Sequence, residues 1–130
     1  MRQEHNQIKR TVLLVEDHVL TRWSAAEFLR HAGYTVLEAV DAMEAKGLLD
    51  SGTPIDLVFS DINMPGDENG YSLARWLASK NHAMPVLLTS GDPEDPTAYT
   101  KGPTRAFIRK PYEPSTVNRL LQSLLVSSRI

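Results

Sequence analysis

The side chains best able to do chemistry in this sequence are carboxylates, a hydroxyl and an amine at four widely separated places. They are Glu16 and Asp17, then Asp61, Ser90 and Lys110. Three carboxylates brought close together repel one another unless a cation lies between them. Oxygen donors without thiols or imidazoles favour Mg²⁺ or a similar hard ion. An ionised aspartate, a divalent ion and a lysine are also the groups needed to accept and hold a phosphoryl group.

Each of these places ends a short apolar run, and the apolar runs of the sequence predict strands that position the side chains. The predicted strands are residues 11–15, 34–39, 57–61, 86–89 and 106–109. Runs of this length without polar alternation are typical of strands buried on both faces of a parallel sheet. Because the carboxyl ends of parallel strands lie at one edge, the four places are expected to converge there. A lone Asp61 would more often cap a turn or a helix.

Apolar residues at helical spacing between the runs predict the connecting helices. Gly33 supplies a stop for the first helix, and Asp41 with Glu44 has the capping-box spacing at the start of the second. A last helix from about residue 114 follows the i, i+3, i+4, i+7 pattern. Segment 92–103 contains three prolines and a glycine, so any helix in it is expected to be short. Strands alternating with helices predict an α/β domain with a parallel sheet covered on both faces.

The composition is typical of a single soluble domain. The chain has 130 residues, a net charge of −2 and no cysteine, which excludes disulfides, thiolate metal sites and cysteine nucleophiles. We expect residues 1–10 to be a flexible polar leader, without the apolar core of a signal peptide, and residues 11–128 to form the domain. No apolar run approaches the roughly 20 residues that span a membrane. The expected location is the cytoplasm.

The sequence resembles a response-regulator receiver domain, the phospho-accepting half of bacterial two-component signalling, in its stand-alone, single-domain form. The resemblance covers about residues 11 to 127. It rests, in the order and approximate spacing of the family, on Glu16-Asp17, Asp61 with Met64-Pro65, Ser90-Gly91 and Lys110-Pro111. It implies a flavodoxin-like, doubly wound five-stranded parallel sheet of order 2-1-3-4-5 with helices on both faces.

The resemblance also implies a phosphoryl-transfer site. In it, Asp61 attacks a phosphohistidine and becomes an acyl phosphate. Asp17 and Asp61 ligate Mg²⁺ directly, together with the backbone carbonyl of Asn63, and Glu16 helps directly or through water. Lys110 pairs with the phosphoryl group.

A switch and a hydrolysis path follow from the same resemblance. The Ser90 hydroxyl turns toward the phosphoryl group, and Phe107 moves inward with it, which couples the chemistry to the face formed by the fourth helix, the fifth strand and the last helix. Phe107 as a simple core residue remains an alternative. The side chains of Asn63 and Asp92 flank the path of the water that removes the phosphoryl group, so they are expected to tune dephosphorylation.

Two departures from the family pattern affect what can be inferred. The loop 64–70 is one residue longer than the commonest form, which leaves its backbone path open. The prolines of segment 92–103 weaken a helix that many receivers use for output or dimerisation, so partner inference from the family is poor.

Other functions remain as alternatives. A haloacid-dehalogenase-type phosphatase needs a second aspartate two residues after the nucleophile, where this chain has Asn63. A flavodoxin-like nucleotide binder needs small residues with free amides after the first strand, where Glu16-Asp17 would repel phosphate. A receiver fold used as an unphosphorylated binding module keeps all the same residues.

The expected partners are therefore proteins. They are a histidine kinase or histidine phosphotransfer protein, and an unidentified downstream protein. We expect no nucleic-acid binding in cis, no membrane contact, and a monomer or a weak phosphorylation-dependent dimer. The chain is expected to be a signalling module and not an enzyme.

Overall fold

The computed structural model describes residues 9–64, 66, 68–80, 83–91 and 105–127. The flexible leader expected at residues 1–10 lies mostly outside these ranges, as do Pro65, Asp92 and the short helix expected in segment 92–103. In the described ranges, strands and helices alternate along the chain. They are β1 Thr11–Val15, α1 Val19–His31, β2 Thr35–Ala39, α2 Ala42–Asp50, β3 Leu57–Asp61, α3 Gly70–Lys80, β4 Val86–Ser90, β5 Arg105–Arg109 and α4 Pro114–Ser127. Every predicted strand is confirmed to within one residue at each end.

The strands form one parallel sheet in the order β2-β1-β3-β4-β5. This confirms the flavodoxin-like order 2-1-3-4-5. The register is continuous toward the carboxyl ends: Val15 pairs with Ala39 and with Ser60, and Asp61 pairs with Thr89. The residues that follow β1, β3, β4 and β5 are therefore brought to one edge, as the sequence predicted.

Alternating strand residues enter two separate hydrophobic clusters, one on each face of the sheet. Leu13, Val58 and Leu88 pack on the face that carries α2 and α3. Leu14 and Leu87 pack on the opposite face with α1 and α4. Since successive side chains of a strand point to opposite faces, a strand buried on both sides must be apolar throughout. This explains why the runs lacked polar alternation.

Side-chain caps start the first two helices directly after their strands. His18 caps α1 by accepting a hydrogen bond from the Thr21 backbone amide on its Nδ1. Asp41 caps α2 by accepting from the Glu44 amide at 2.8 Å, and Glu44 accepts from the Val40 amide at 2.8 Å. The capping function predicted for Asp41 is confirmed, although Glu44 binds one residue earlier than in the usual capping box.

No helix in the described ranges is both long and apolar enough to cross a membrane.

Candidate functional site

The acidic cluster is built from the ends of β1 and β3. The Glu16 amide donates to the Ala39 carbonyl at 3.0 Å, which prolongs the pairing of β1 with β2 by one residue. Asp61 is the last residue of β3. One carboxylate oxygen from each of Glu16, Asp17 and Asp61 lies within 4.8 Å of the others. Glu16 and Asp61 are only 3% and 7% exposed, whereas Asp17 is exposed.

Lys110 places one cation between the two buried carboxylates. Its Nζ donates to Glu16 Oε1 at 2.8 Å and to Asp61 Oδ2 at 3.2 Å. Its backbone amide donates to the Ser90 carbonyl at 3.0 Å, and the Lys110–Pro111 peptide bond is cis. One lysine against three carboxylates leaves the cluster negative, so it favours a further cation.

The pKa values reflect this crowding. Burial raises the pKa of Asp61 above its usual 3.8, and the Glu16 charge raises it further, against the opposing effects of Lys110 and of the Asn63 amide. Burial by itself would lower the pKa of Lys110. The hydrogen bond with Glu16 and the charges of Asp61 and Glu16 outweigh burial, and the pKa of Lys110 is raised above 10.5.

Asn63 and Ser90 are joined by a direct hydrogen bond beside Asp61. The backbone amide of Asn63 donates to Asp61 Oδ1 at 3.2 Å, and its side-chain Nδ2 donates to Ser90 Oγ at 3.1 Å. Ser90 is 4% exposed. Phe107 is partly buried and packs against the cluster that contains Leu88, two residues before Ser90. The serine and the phenylalanine therefore share one face of the sheet.

The donor set fits a hard divalent cation. In the described residues the cluster offers carboxylate oxygens from Glu16, Asp17 and Asp61, with no sulfur or imidazole donor among them. Oxygen ligands of this kind suit Mg²⁺, which keeps several of its waters when few protein ligands are present. Burial first, and the Glu16 charge second, raise the pKa of Asp61 despite Lys110, so a further cation would favour the ionised form of Asp61. The residues present are consistent with the Mg²⁺ site that the sequence implied.

Gly70 is a site residue that the sequence analysis missed. A Cβ at this position would lie 2.5 Å from the Asp61 carbonyl oxygen and 2.8 Å from the Ile62 Cα. The Gly70 amide also donates to the Ile62 carbonyl at 2.9 Å. The first turn of α3 thus lies directly against the backbone that carries Asp61. Only the glycines of loop 64–70 hinted at this contact in the sequence.

We expect Gly70→Ala to lower the free energy of unfolding by about 1–3 kcal/mol, because the new methyl group must push backbone atoms apart. Denaturant unfolding of the purified variant measures this loss. Gly47→Ala is the matched control, since Gly47 lies in α2 and an added Cβ there has nothing within 4 Å. The control should be neutral or slightly stabilising. Equal stabilities of the two variants would contradict the close contact at Gly70.

Tyr112 is the second residue that was missed. Its ring lies 6.0 Å from that of Phe28 and 5.6 Å from that of Phe59, so it packs between α1 and β3. Burial raises the pKa of Tyr112 to about 12, and the charges of Lys110, Glu16 and Asp61 also act on the phenol. An open cavity of about 650 Å³ lies between α1 and this residue, with Lys110 in its wall. The phenol therefore stays neutral at the border of the acidic cluster.

Fold and site together define a class: a parallel α/β domain with an acidic cluster and a lysine at the carboxyl edge of its sheet. Comparison with known proteins gives the family. The profile of the response regulator receiver domain matches residues 12–122, and the chain belongs to that family.

Individual relatives agree with this assignment. The aerobic respiration control protein ArcA of Escherichia coli is 35% identical over 115 residues, which are 88% of this chain and 48% of ArcA. The sensor kinase CckA of Brucella abortus is 37% identical over 86 residues, which are 65% of this chain and 9% of CckA. The crystal structure of a response regulator receiver protein from Sinorhizobium medicae superposes with a TM-score of 0.85 at 25% identity, covering 92% of this chain and 97% of that one. The chain thus spans about half the length of ArcA and a small part of CckA.

Proposed function

We propose that the domain of residues 11–128 accepts a phosphoryl group from a protein histidine on Asp61 and signals its presence to a partner. The observation that carries this proposal is the pair of hydrogen bonds by which Lys110 Nζ joins Glu16 and Asp61 at 2.8 and 3.2 Å. The contact of these two carboxylates with one cation supports the roles proposed for them, with Asp61 as the nucleophile, Glu16 as a metal-binding acid and Lys110 as the partner of the phosphoryl oxygens. Each group is supplied by a different strand end of the same sheet edge.

The transfer makes one bond and breaks another. A carboxylate oxygen of Asp61 forms the new P–O bond while the P–N bond of the phosphohistidine breaks, and the leaving imidazole takes up a proton. Mg²⁺, when bound, neutralises charge on the phosphoryl oxygens during the in-line transfer. Asp17, Asp61 and the Asn63 backbone carbonyl would hold it, with Glu16 directly or through water. Lys110 would leave Asp61 to pair with the phosphoryl group.

The switch would act through Ser90 and Phe107. In the structure, Ser90 Oγ accepts a hydrogen bond from Asn63 Nδ2 at 3.1 Å. The Ser90 hydroxyl would turn toward a phosphoryl oxygen and donate to it, and Phe107 on the same face would follow it inward. Contacts made only in the presence of the phosphoryl group bias such a two-state equilibrium. Asn63, and Asp92 in the undescribed segment, would tune hydrolysis by flanking the path of the attacking water.

The start of α1 supports docking of a histidine-bearing partner. Val19, Leu20 and Trp23 are 61%, 70% and 64% exposed, and they follow Asp17 within two turns of helix. Exposed apolar side chains grouped in this way are typical of protein contacts. A histidine kinase or a histidine phosphotransfer protein that covers them would bring its phosphohistidine close to Asp61. The similarity to part of a sensor kinase supports a place in a phosphorelay. A downstream protein would read the phosphorylated state, the domain itself being a monomer or a weak dimer.

Incubation with Mg²⁺ and acetyl phosphate tests the proposal. We expect one phosphoryl group per chain, labile to acid and cleaved by hydroxylamine as an acyl phosphate must be. Intact-mass spectrometry follows its uptake and loss. EDTA is expected to prevent labelling, because the transfer needs a divalent cation. Labelling that proceeds equally well in EDTA would contradict the mechanism and favour an unphosphorylated binding module.

A further inference from the structure

Arg22, in the first turn of α1, contacts the backbone that follows β1 and carries Glu16 and Asp17. Its Nη1 donates to the Glu16 backbone carbonyl at 3.0 Å. Its Nε donates to Glu38 Oε1 on β2 at 3.1 Å, so the guanidinium is held at two points. The Arg22 side chain is only 17% exposed. A charged donor in such a fixed fork orients its acceptors strongly.

The contacted carbonyl belongs to the peptide bond that joins Glu16 to Asp17. The rest of Glu16 is already fixed: its amide donates to Ala39, its Oε1 accepts from Lys110 and its Oε2 accepts from the His18 amide at 3.1 Å. The hydrogen bond that the Glu16 carbonyl accepts from Arg22 restrains the rotation of the peptide leading to Asp17. Asp17 is exposed, so its direction depends on this peptide more than on packing around its side chain.

We propose that Arg22 is a positioning residue for Mg²⁺: by holding the Glu16 carbonyl, it aims the Asp17 carboxylate at the metal position. The inference rests on the metal site of the proposed function. It predicts that Arg22 strengthens Mg²⁺ binding, whereas the positive charge of Arg22 by itself would weaken it. A guanidinium near a cation site weakens cation binding by repulsion, whereas a guanidinium that orients a ligand strengthens it. Glu38 offsets the charge of Arg22, so orientation is expected to dominate.

Arg30 offers a matched control within the same ion-pair network. Its Nη2 donates to Glu38 Oε2 at 3.2 Å and to the backbone carbonyl of Val36 at 3.1 Å. Arg30 therefore makes the same two kinds of contact as Arg22, both to β2, together with a longer ion pair of 3.9 Å from its Nη1 to Glu27 Oε2 on its own helix. Removing either arginine loses one bond to Glu38 and one to a backbone carbonyl. Only the loss of Arg22 releases the peptide before Asp17.

The experiment is a Mg²⁺ titration of the full chain, followed by backbone amide shifts, with no phospho-donor present. We expect Arg22→Met to raise the dissociation constant for Mg²⁺ about tenfold, within the range found when partners of metal ligands are removed. Arg30→Met should stay within about twofold of the unsubstituted protein. Arg22→Lys keeps the charge but not the fork, and should fall between the two. It also serves as the test variant if Arg22→Met does not fold.

The outcomes separate the inference from the proposed function. Tighter or unchanged Mg²⁺ binding in Arg22→Met and Arg22→Lys would overturn the positioning role, because the charge alone would then account for Arg22. Equal weakening in Arg22→Met and Arg30→Met would also overturn it, as a general effect of the network. A protein without saturable Mg²⁺ binding, or one unaffected by Asp17→Ala, would instead overturn the metal site on which both proposals rest.

Discussion

Asp61→Asn is expected to abolish phosphoryl uptake from acetyl phosphate completely and to raise the melting temperature of the metal-free protein by about 3–6 °C. The first effect follows because an amide is a poor nucleophile. The second follows because Asp61 is buried and faces Glu16, and among the residues that the structure describes Lys110 alone pairs with both carboxylates. Relief of this charge repulsion should raise the free energy of unfolding by roughly 1 kcal/mol, as when other active-site groups are neutralised.

The stability gained by Asp61→Asn should increase with pH. The pKa of Asp61 is raised in the folded protein, so folding favours its protonated form. The destabilisation caused by ionised Asp61 is therefore absent below pH 3.8, the usual pKa of an aspartate. It grows as pH rises toward the folded pKa and is complete above that pKa. Asparagine does not ionise. The advantage of Asp61→Asn should thus be greatest at neutral pH and should shrink as the solution is made acidic.

Asp50→Asn is the control, because Asp50 carries an exposed carboxylate at the end of α2. It should keep both the labelling and the melting temperature of the unsubstituted protein. Thermal unfolding with EDTA present, at several pH values, measures the second effect, and intact mass measures the first. Labelling that survives in Asp61→Asn would rule out Asp61 as acceptor. A melting temperature lowered by several degrees would mean that Asp61 is a structural cap.

The convergence of the site was predictable because it depends on topology and not on detailed packing. Apolar runs locate the strands, and parallel strands place their carboxyl ends at one edge, so Asp61 and Lys110 were expected at the same edge of the sheet. The strand order came from the family resemblance alone, since the runs themselves do not specify neighbours. The order in the structure confirms it.

The contacts that were missed depend on packing between distant segments. Gly70 is required by the backbone of Asp61 and Ile62, a close approach with no periodic signal in the sequence. The bond from Arg22 to the Glu16 carbonyl depends on the position of α1 against β1. Tyr112 packs on Phe59 across the sheet face, and a single aromatic after a proline does not predict this.

The adjacent acids Glu16 and Asp17 also differ in a way that the sequence does not predict. Their residue types alone do not predict which of the two is buried. In the structure, Glu16 is 3% exposed and holds Lys110, while Asp17 is exposed. The difference arises because Glu16 extends the pairing of β1 with β2, whereas Asp17 lies in the turn before α1. The two acids therefore need different support, which for Asp17 is the peptide held by Arg22.

Lys110→Met is expected to lower the melting temperature of the metal-free protein by about 10 °C at neutral pH. The substitution leaves Glu16 and Asp61 buried without their cation. Breaking a buried ion pair costs about 3–5 kcal/mol. The side chain of Lys110 is 25% exposed, so water screens part of the interaction and about 2–3 kcal/mol is the expected loss.

Two conditions should reduce this loss. Saturating Mg²⁺ should restore part of the stability, because a divalent cation neutralises the same carboxylates. Lower pH should do so as well, since protonated Asp61 needs no cation, and its pKa rises further once Lys110 is gone. On the alkaline side, the raised pKa of Lys110 in the unsubstituted protein keeps its contribution full up to pH 10.5, and the contribution is lost as pH rises through the folded value.

Thermal unfolding with EDTA and with Mg²⁺ measures these differences. Lys80→Met is the matched control. Lys80 Nζ lies 3.9 Å from Asp50 Oδ1, and both side chains are more than half exposed. Such a surface pair is worth less than about 1 kcal/mol. Lys110→Met should still accept a phosphoryl group on Asp61, but with a weaker shift of the Ser90 and Phe107 amides. If Lys110→Met and Lys80→Met have the same melting temperature in EDTA at neutral pH, then Lys110 does not offset the charge of the buried acids. The electrostatic account of the site would then be wrong.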